Sequence, residues 1–152
     1  MRAIIQRVRQ AQVVVESKTV GRIEQGLLVY VGVGPADTLD DAARLAEKIA
    51  CMRIFEDEHG KMNRSVQDVR GGVLAVPNFT LYADARKGRR PAFVGAARPE
   101  QAAELFKAFR IALAAAGCTV QAGIFGAHME ITSLADGPVN IIYETQESPP
   151  PT

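Results

Sequence analysis

Apolar residues dominate the start of the chain in three short runs broken by polar turns. Ala3 to Val15 carries the β-branched stretch Val13-Val14-Val15 and predicts a strand. A turn near Ser17-Lys18 leads to a second strand, Thr19 to Ile23. Gly26 to Val33 is apolar without interruption between glycines, the pattern of a strand buried on both faces. Gly34-Pro35 stops it.

The period then changes. Leu39, Ala42, Ala46, Ile49 and Ala50 recur at helical spacing and predict a helix over Leu39–Met52. Thr38 is its N-cap, with Asp40 and Asp41 in the first turn. Arg53-Ile54-Phe55 reads as extended, and Glu56 to Gly60 as a polar turn. Val73 to Val76 follows Gly71-Gly72 as another buried strand, interrupted by Pro77. Pro99 opens a second helix at its first position. Ala102, Phe106, Phe109 and Leu113 form its apolar face, and Gly117 closes it. Cys118–Val120, Met129–Leu134 and Val139–Tyr143 read as three closing strands. With no repeat and no linker, the pattern is one α+β domain over residues 1–145: antiparallel strands with two helices covering one side. Residues 146–152, ending in Pro149-Pro150-Pro151-Thr152, have nothing to bury and are expected to be a disordered tail.

Composition narrows the chemistry. The chain has 152 residues, 47% of them apolar, which suits one domain with a real core. No apolar run reaches the ~18–20 residues of a membrane span. Arginines interrupt MRAIIQRVRQ, so it does not read as a signal peptide. Eighteen Lys+Arg against seventeen Asp+Glu argue against a whole-surface nucleic-acid clamp, and no DNA partner is expected, although a local basic patch remains open. Cys51 and Cys118 lie far apart without CxxC spacing, which points to a reducing, cytoplasmic setting. Both read as buried small hydrophobes rather than nucleophiles. His59, in a polar turn, and His128, placed on a strand, have no partners at ligand spacing, so no metal is expected. Neither a Gly-x-Ser-x-Gly elbow nor a phosphate-binding P-loop is present.

Three features stand out. In Val76-Pro77-Asn78-Phe79-Thr80-Leu81 a proline ends an apolar strand. The backbone after it leaves the ladder, and free amides beside a hydroxyl and a carboxamide are the parts of an oxyanion site. An ordinary strand end accounts for the same residues. Ala135-Asp136-Gly137-Pro138-Val139-Asn140 reads as a turn between two strands that presents bare carbonyls; a plain hairpin does so too. Arg86-Lys87-Gly88-Arg89-Arg90, with Arg98 beyond, lies in a long loop over residues 84–98. It suits an anionic partner such as phosphate, or a solvated loop paired with local acids.

At these residues the sequence resembles the D-aminoacyl-tRNA deacylase family, from Met1-Arg2-Ala3-Ile4-Ile5-Gln6-Arg7-Val8 to Tyr143. Gly26-Leu27-Leu28-Val29, Arg53-Ile54-Phe55, Gly60-Lys61-Met62-Asn63, Phe79-Thr80-Leu81 and Asp136-Gly137-Pro138-Val139 carry the likeness in order. The family's Ser-Gln-Phe-Thr-Leu reads Pro77-Asn78-Phe79-Thr80-Leu81 here, and its Asn-x-Gly-Pro-Val-Thr reads Ala135-Asp136-Gly137-Pro138-Val139-Asn140. A related animal-type deacylase has Pro-Gln at the first signature, an echo of Pro77.

The resemblance implies one compact α+β domain whose antiparallel sheets form a barrel-like core with two main helices, assembled as a homodimer. It implies hydrolysis of the ester joining a D-amino acid, or glycine, to the terminal adenosine of tRNA, with no cofactor. Asn78, Phe79 and Thr80 are the implied catalytic group, their amides facing the oxyanion. Gly137, Pro138 and Val139 form an implied cis Gly-Pro turn that reaches into the partner's pocket and excludes L side chains by main-chain bulk. Phe125 is implied near the terminal adenine, where stacking is worth roughly 1–3 kcal/mol; a core aromatic is the other reading. Two other functions stay open: a deacylase with relaxed chirality acting on L-alanyl- or glycyl-tRNA, and a non-catalytic tRNA-binding module.

Overall fold

The computed structural model describes residues 1–146. Most of the expected tail lies outside the described residues. Gln146 belongs to the body, because its carboxamide donates to the Ala36 carbonyl at 3.3 Å and reaches Asp37 and Asp41 at 3.4 Å.

The spine is β1, Arg2–Val15. One edge pairs antiparallel with β3, Gly26–Gly32, and then with β2, Lys18–Ile23. The other edge pairs antiparallel with β8, Glu130–Glu144, along nearly its whole length. The turn from β1 to β2 is built without glycine, Glu16 and Ser17 both taking positive φ (49° and 65°).

β6, Gly72–Pro77, pairs parallel with β3, and β7, Thr119–Ala122, pairs parallel with β6. The sheet is therefore mixed rather than wholly antiparallel. The reason is connectivity: α1, Leu39–Cys51, separates β3 from β6, and α2, Pro99–Ala115, separates β6 from β7. Parallel neighbours need such crossovers. β2 comes up against β6 and β7, so the sheet curls into a nearly closed, barrel-like core. A small hairpin of β4, Phe55–Glu56, and β5, Met62–Arg64, stands apart, with Gly60 at φ 74° in its turn.

Alternation along the strands sorts the core. Leu27, Val29 and Val31 of β3, with Val73 and Ala75 of β6, face Leu45, Ile49, Phe106 and Phe109 of the helices. Leu28, Leu74 and Val76 point the other way, into the curl, with Val8, Ala11, Val13 and Ile23. β3 and β6 approach so closely at Gly26 that a Cβ there would lie 1.9 Å from the Gly72 carbonyl oxygen.

α1 begins at Thr38 as the sequence predicts. The Thr38 hydroxyl accepts from the Asp41 N–H and the Asp41 carboxylate accepts from the Thr38 N–H, a reciprocal capping box. The helix ends at Cys51, one residue short of Met52, and Leu39 is exposed rather than in the apolar stripe. α2 starts at Pro99, and Gly117 follows its end at φ 96°. The Met1 ammonium is buried against Asp37 at 2.5 Å and donates to the Thr145 hydroxyl at 2.6 Å.

Three further expectations change. The three closing strands are two, because β8 runs unbroken in sequence through the Gly-Pro segment. His128 lies in the connection before β8, not on a strand. Cys51 is exposed and Cys118 half-buried; both are free thiols. Among the described residues, no helix is long and apolar enough to cross a membrane.

Candidate active site

The chain leaves β6 through Asn78 into a 3₁₀ turn, Phe79–Tyr82. Gly32 lets this turn settle onto the end of β3, since a Cβ there would come 3.1 Å from the Asn78 carbonyl oxygen and the Leu81 and Tyr82 side chains. Arg2 ties down the far side. Its guanidinium donates to the Leu81 carbonyl at 2.7 Å and to Glu144 at 2.7 Å, and stacks over the Tyr82 ring at 4.7 Å. Burial pushes the Tyr82 phenol well above its ordinary range, and nearby Asp37 reinforces this.

Asn78 caps the turn. Its carboxamide oxygen accepts from the Thr80 N–H at 3.1 Å and from the Thr80 hydroxyl at 2.5 Å. Asparagine is among the best residues for this task. The Asn78 N–H donates to the Val31 carbonyl at 2.8 Å, continuing the parallel ladder. Two of the three amides expected to face an oxyanion are thus engaged within the protein. Among the described residues, only the Phe79 N–H of this trio has no acceptor in the chain. Because strand amides alternate in direction, the donor missing at Pro77 belongs to the edge away from β3, where β7 has already ended at Ala122.

Beside the turn lies a pocket of about 430 Å³ between the ends of β3 and β6, the start of α2 and the connection after β7. Val31, Val33, Asn78, Phe79, Phe93, Phe106 and Phe125 are among its walls. Phe93 meets Phe79 edge to face, with centroids 5.2 Å apart. None of the lining residues carries a titratable side chain. Such walls suit a flat aromatic group. The lining itself supplies no general base.

The Gly-Pro segment is a bulge, not an inter-strand turn. Gln6 faces Asn140 and Val8 faces Ala135, so Asp136 to Val139 oppose Arg7 alone and leave the ladder. The Gly137–Pro138 peptide is cis. Buried Arg7 fills the gap: it donates to the Asp136 carbonyl at 3.1 Å and to the Ile54 carbonyl at 2.8 Å, and lies 3.4 Å from the Asp136 carboxylate. Gly137 adopts φ 137°, and a Cβ there would sit 2.7 Å from the Val139 nitrogen, so glycine is required.

The family model for D-Tyr-tRNA(Tyr) deacylase matches residues 4–144, almost all of the described chain. The chain belongs to this deacylase family. It is 53% identical over 149 residues to a D-aminoacyl-tRNA deacylase of Thermus aquaticus, covering 98% of both chains. It is 48% identical over 147 residues to one of Desulforamulus reducens, covering 97% of this chain and 99% of the relative. Among solved structures, a "c-Myc DNA Unwinding Element Binding Protein" superposes with TM-score 0.88 at 35% identity, over 98% of this chain and 99% of that one. A probable eukaryotic D-amino acid tRNA deacylase shares the fold, with TM-score 0.82 at 18% identity, over 93% of this chain and 97% of that one.

Within this family member, the structure brings Asn78, Phe79 and Phe125 together around one pocket, with Thr80 in the adjoining turn. Gly137, Pro138 and Val139 do not line that pocket; Gly137 and Pro138 are exposed, and Val139 packs against the core. Phe125 is partly exposed on the rim, not a core aromatic. Sequence reasoning missed Arg7, Arg2, Phe93 and Phe106. For Arg7 a signal existed: a charged residue that continues the alternating strand face begun by apolar Ala3 and Ile5. Among the described residues, no group of three or more His, Cys, Asp or Glu converges as a metal site would.

Proposed function

We propose that this deacylase hydrolyses the ester between a D-amino acid, or glycine, and the 3′-terminal adenosine of tRNA, acting in the cytoplasm as a homodimer. Kinship with D-aminoacyl-tRNA deacylases along the whole chain supports the reaction. The observation that carries the mechanism is the pocket itself: apolar, aromatic, without a titratable wall, and bordered by a turn with one unengaged amide.

On this reading the terminal adenine enters the pocket against Phe125. The ester carbonyl lies by the turn, where the Phe79 N–H donates to its oxygen as negative charge develops. Water attacks the carbonyl carbon, the bond to the ribose oxygen breaks, and that oxygen takes the proton. The neighbouring ribose hydroxyl assists the water. A single oxyanion donor contributes roughly 2.7–4 kcal/mol. Thr80, whose hydroxyl donates to Asn78 and has no adjacent base, orients the turn rather than attacking the ester.

Chirality comes from the second subunit. The bulge of Gly137, Pro138 and Val139 stands away from its own pocket, as a segment serving the partner's site must. Its main chain would occupy the space an L side chain needs. The test is release of D-tyrosine from D-tyrosyl-tRNA by the purified protein: steady turnover is expected, and an intact ester after prolonged incubation would overturn the reading.

A further inference from the structure

The loop ahead of the pocket remains unexplained. Its ends are pinned by an antiparallel bridge, Asp84 N–H to Ala92 carbonyl at 2.7 Å and the reverse at 2.9 Å, and Gly88 reverses its tip at φ 71°. Arg86 folds back onto Asp84 through two contacts, at 2.9 and 2.7 Å, which holds that carboxyl well below the usual carboxylate range. Lys87, Arg89 and Arg90 are exposed, and among the described residues none has a carboxylate at ion-pair distance. The chain's net charge is only +1, so this concentration of unneutralised cations is local. Three neighbouring like charges repel one another, and a pinned loop that holds them together favours an anion.

Position says which anion. Phe93, three residues beyond Arg90, lines the pocket, so at most about 10 Å of extended chain separates Arg90 from its rim and about 20 Å separates Lys87. Phe79 and Phe125 are partly exposed on that rim. Cations beside exposed aromatic rings are the two components of a surface for single-stranded nucleic acid.

We propose that Lys87, Arg89 and Arg90 clamp the backbone phosphates of the single-stranded 3′ end of the RNA whose terminal base occupies the pocket. This rests on the deacylase reading and extends it from the terminal nucleoside to the strand behind it. The clamp acts on binding, not on the chemical step, because no reacting atom lies in the loop.

The test compares the parent protein with a Lys87→Ala, Arg89→Ala, Arg90→Ala variant on two esters: D-tyrosyl-tRNA, and D-tyrosyl-adenosine, which has no phosphate. For the tRNA ester the variant is expected to show a KM raised on the order of tenfold at about 50 mM salt, with kcat unchanged. The slope of log KM against log salt falls by about 2, near 0.7 for each of three lost phosphate contacts on a single strand. D-tyrosyl-adenosine turnover stays the same. An unchanged KM and salt slope on tRNA, or equal loss on both esters, overturns the clamp. Salt-dependent binding of uncharged tRNA is measured in parallel: a slope that falls in the variant supports the clamp even if the parent cleaves neither ester, a result that would overturn the deacylase reading alone.

Discussion

The Arg7 guanidinium donates to the Asp136 carbonyl at 3.1 Å from the strand directly opposite the Gly137–Pro138 bulge. It also donates to the Ile54 carbonyl at 2.8 Å, so one planar group ties the root of the bulge to the segment before β4. Hydrogen bonds to a charged donor contribute roughly 1.5–3 kcal/mol each. Replacing Arg7 by Lys keeps the charge and loses the fork. Arg7→Lys is expected to keep the fold while loosening the bulge, so the preference for D over L esters drops about tenfold. The ratio of kcat/KM for paired D and L substrates reads this, and an unchanged ratio in a folded Arg7→Lys protein would show that Arg7 does not hold the bulge for selectivity.

The turn after β6 separates two roles for Thr80. Its hydroxyl donates to Asn78 and has no adjacent base, so Thr80→Val is expected to retain turnover within about tenfold of the parent. A loss of several orders of magnitude would identify Thr80 as the nucleophile. Phe79→Pro removes the one free amide at a helical first position that tolerates proline, after Asn78 in an extended conformation. Its kcat is expected to fall roughly 10²–10³-fold, the cost of one oxyanion donor.

The proposed sharing of each site between two subunits is tested by subunit mixing. Gly137→Ala places a Cβ 2.7 Å from the Val139 nitrogen and disrupts the bulge. Phe79→Pro disables the turn. Each homodimer is expected to be impaired, and unfolding and refolding them together gives heterodimers with one site made from an intact turn and an intact bulge. Recovery toward about a quarter of parental activity follows from random pairing. If mixing restores nothing, each chain uses its own bulge.

Acid stability is coupled to the cap of α1. Burial pushes the Asp41 carboxyl up, but hydrogen bonds from the Thr38 N–H, Thr145, the Thr38 hydroxyl and Gln146 together bring it below its ordinary value. A lowered folded-state value means stabilisation that is present above about pH 4 and is lost as pH falls through that value. Asp41→Asn is expected to cost about 0.5–2 kcal/mol at neutral pH. The difference from the parent should shrink below about pH 4 in urea-unfolding curves. A gap of constant size down to pH 2 would contradict this origin.

Local grammar made much of the fold legible. Thr38, Pro99 and Gly117 mark helix ends because caps are set by neighbours in sequence. The runs at Leu27–Val31 and Val73–Val76 are strands buried on both faces because both sides of the sheet are covered. Parallel pairing was available from the strand–helix–strand order, but the apolar runs alone do not declare direction. Gly137-Pro138 reads locally as a turn because any break in pairing carries the same residues; only β1 continuing opposite it reveals a bulge. That the Asn78 and Thr80 amides are engaged within the chain is hidden from the sequence for a similar reason. Their amides find acceptors in Val31, 47 positions earlier in the chain, and in a side chain whose rotamer the sequence does not specify. Phe93 joins the pocket from the loop before α2 and Phe106 from α2 itself, contacts that no spacing announces.

If the main chain of the Gly137–Pro138 bulge excludes L side chains, the site acts on D-aminoacyl and glycyl esters and spares L esters. The most direct measurement is kcat/KM for D-tyrosyl-, L-tyrosyl- and glycyl-tRNA side by side. Turnover of the D and glycyl esters is expected, with the L ester slower by at least about a hundredfold, near 3 kcal/mol in the barrier. Cleavage of the L ester at a rate comparable to the D ester would contradict that exclusion.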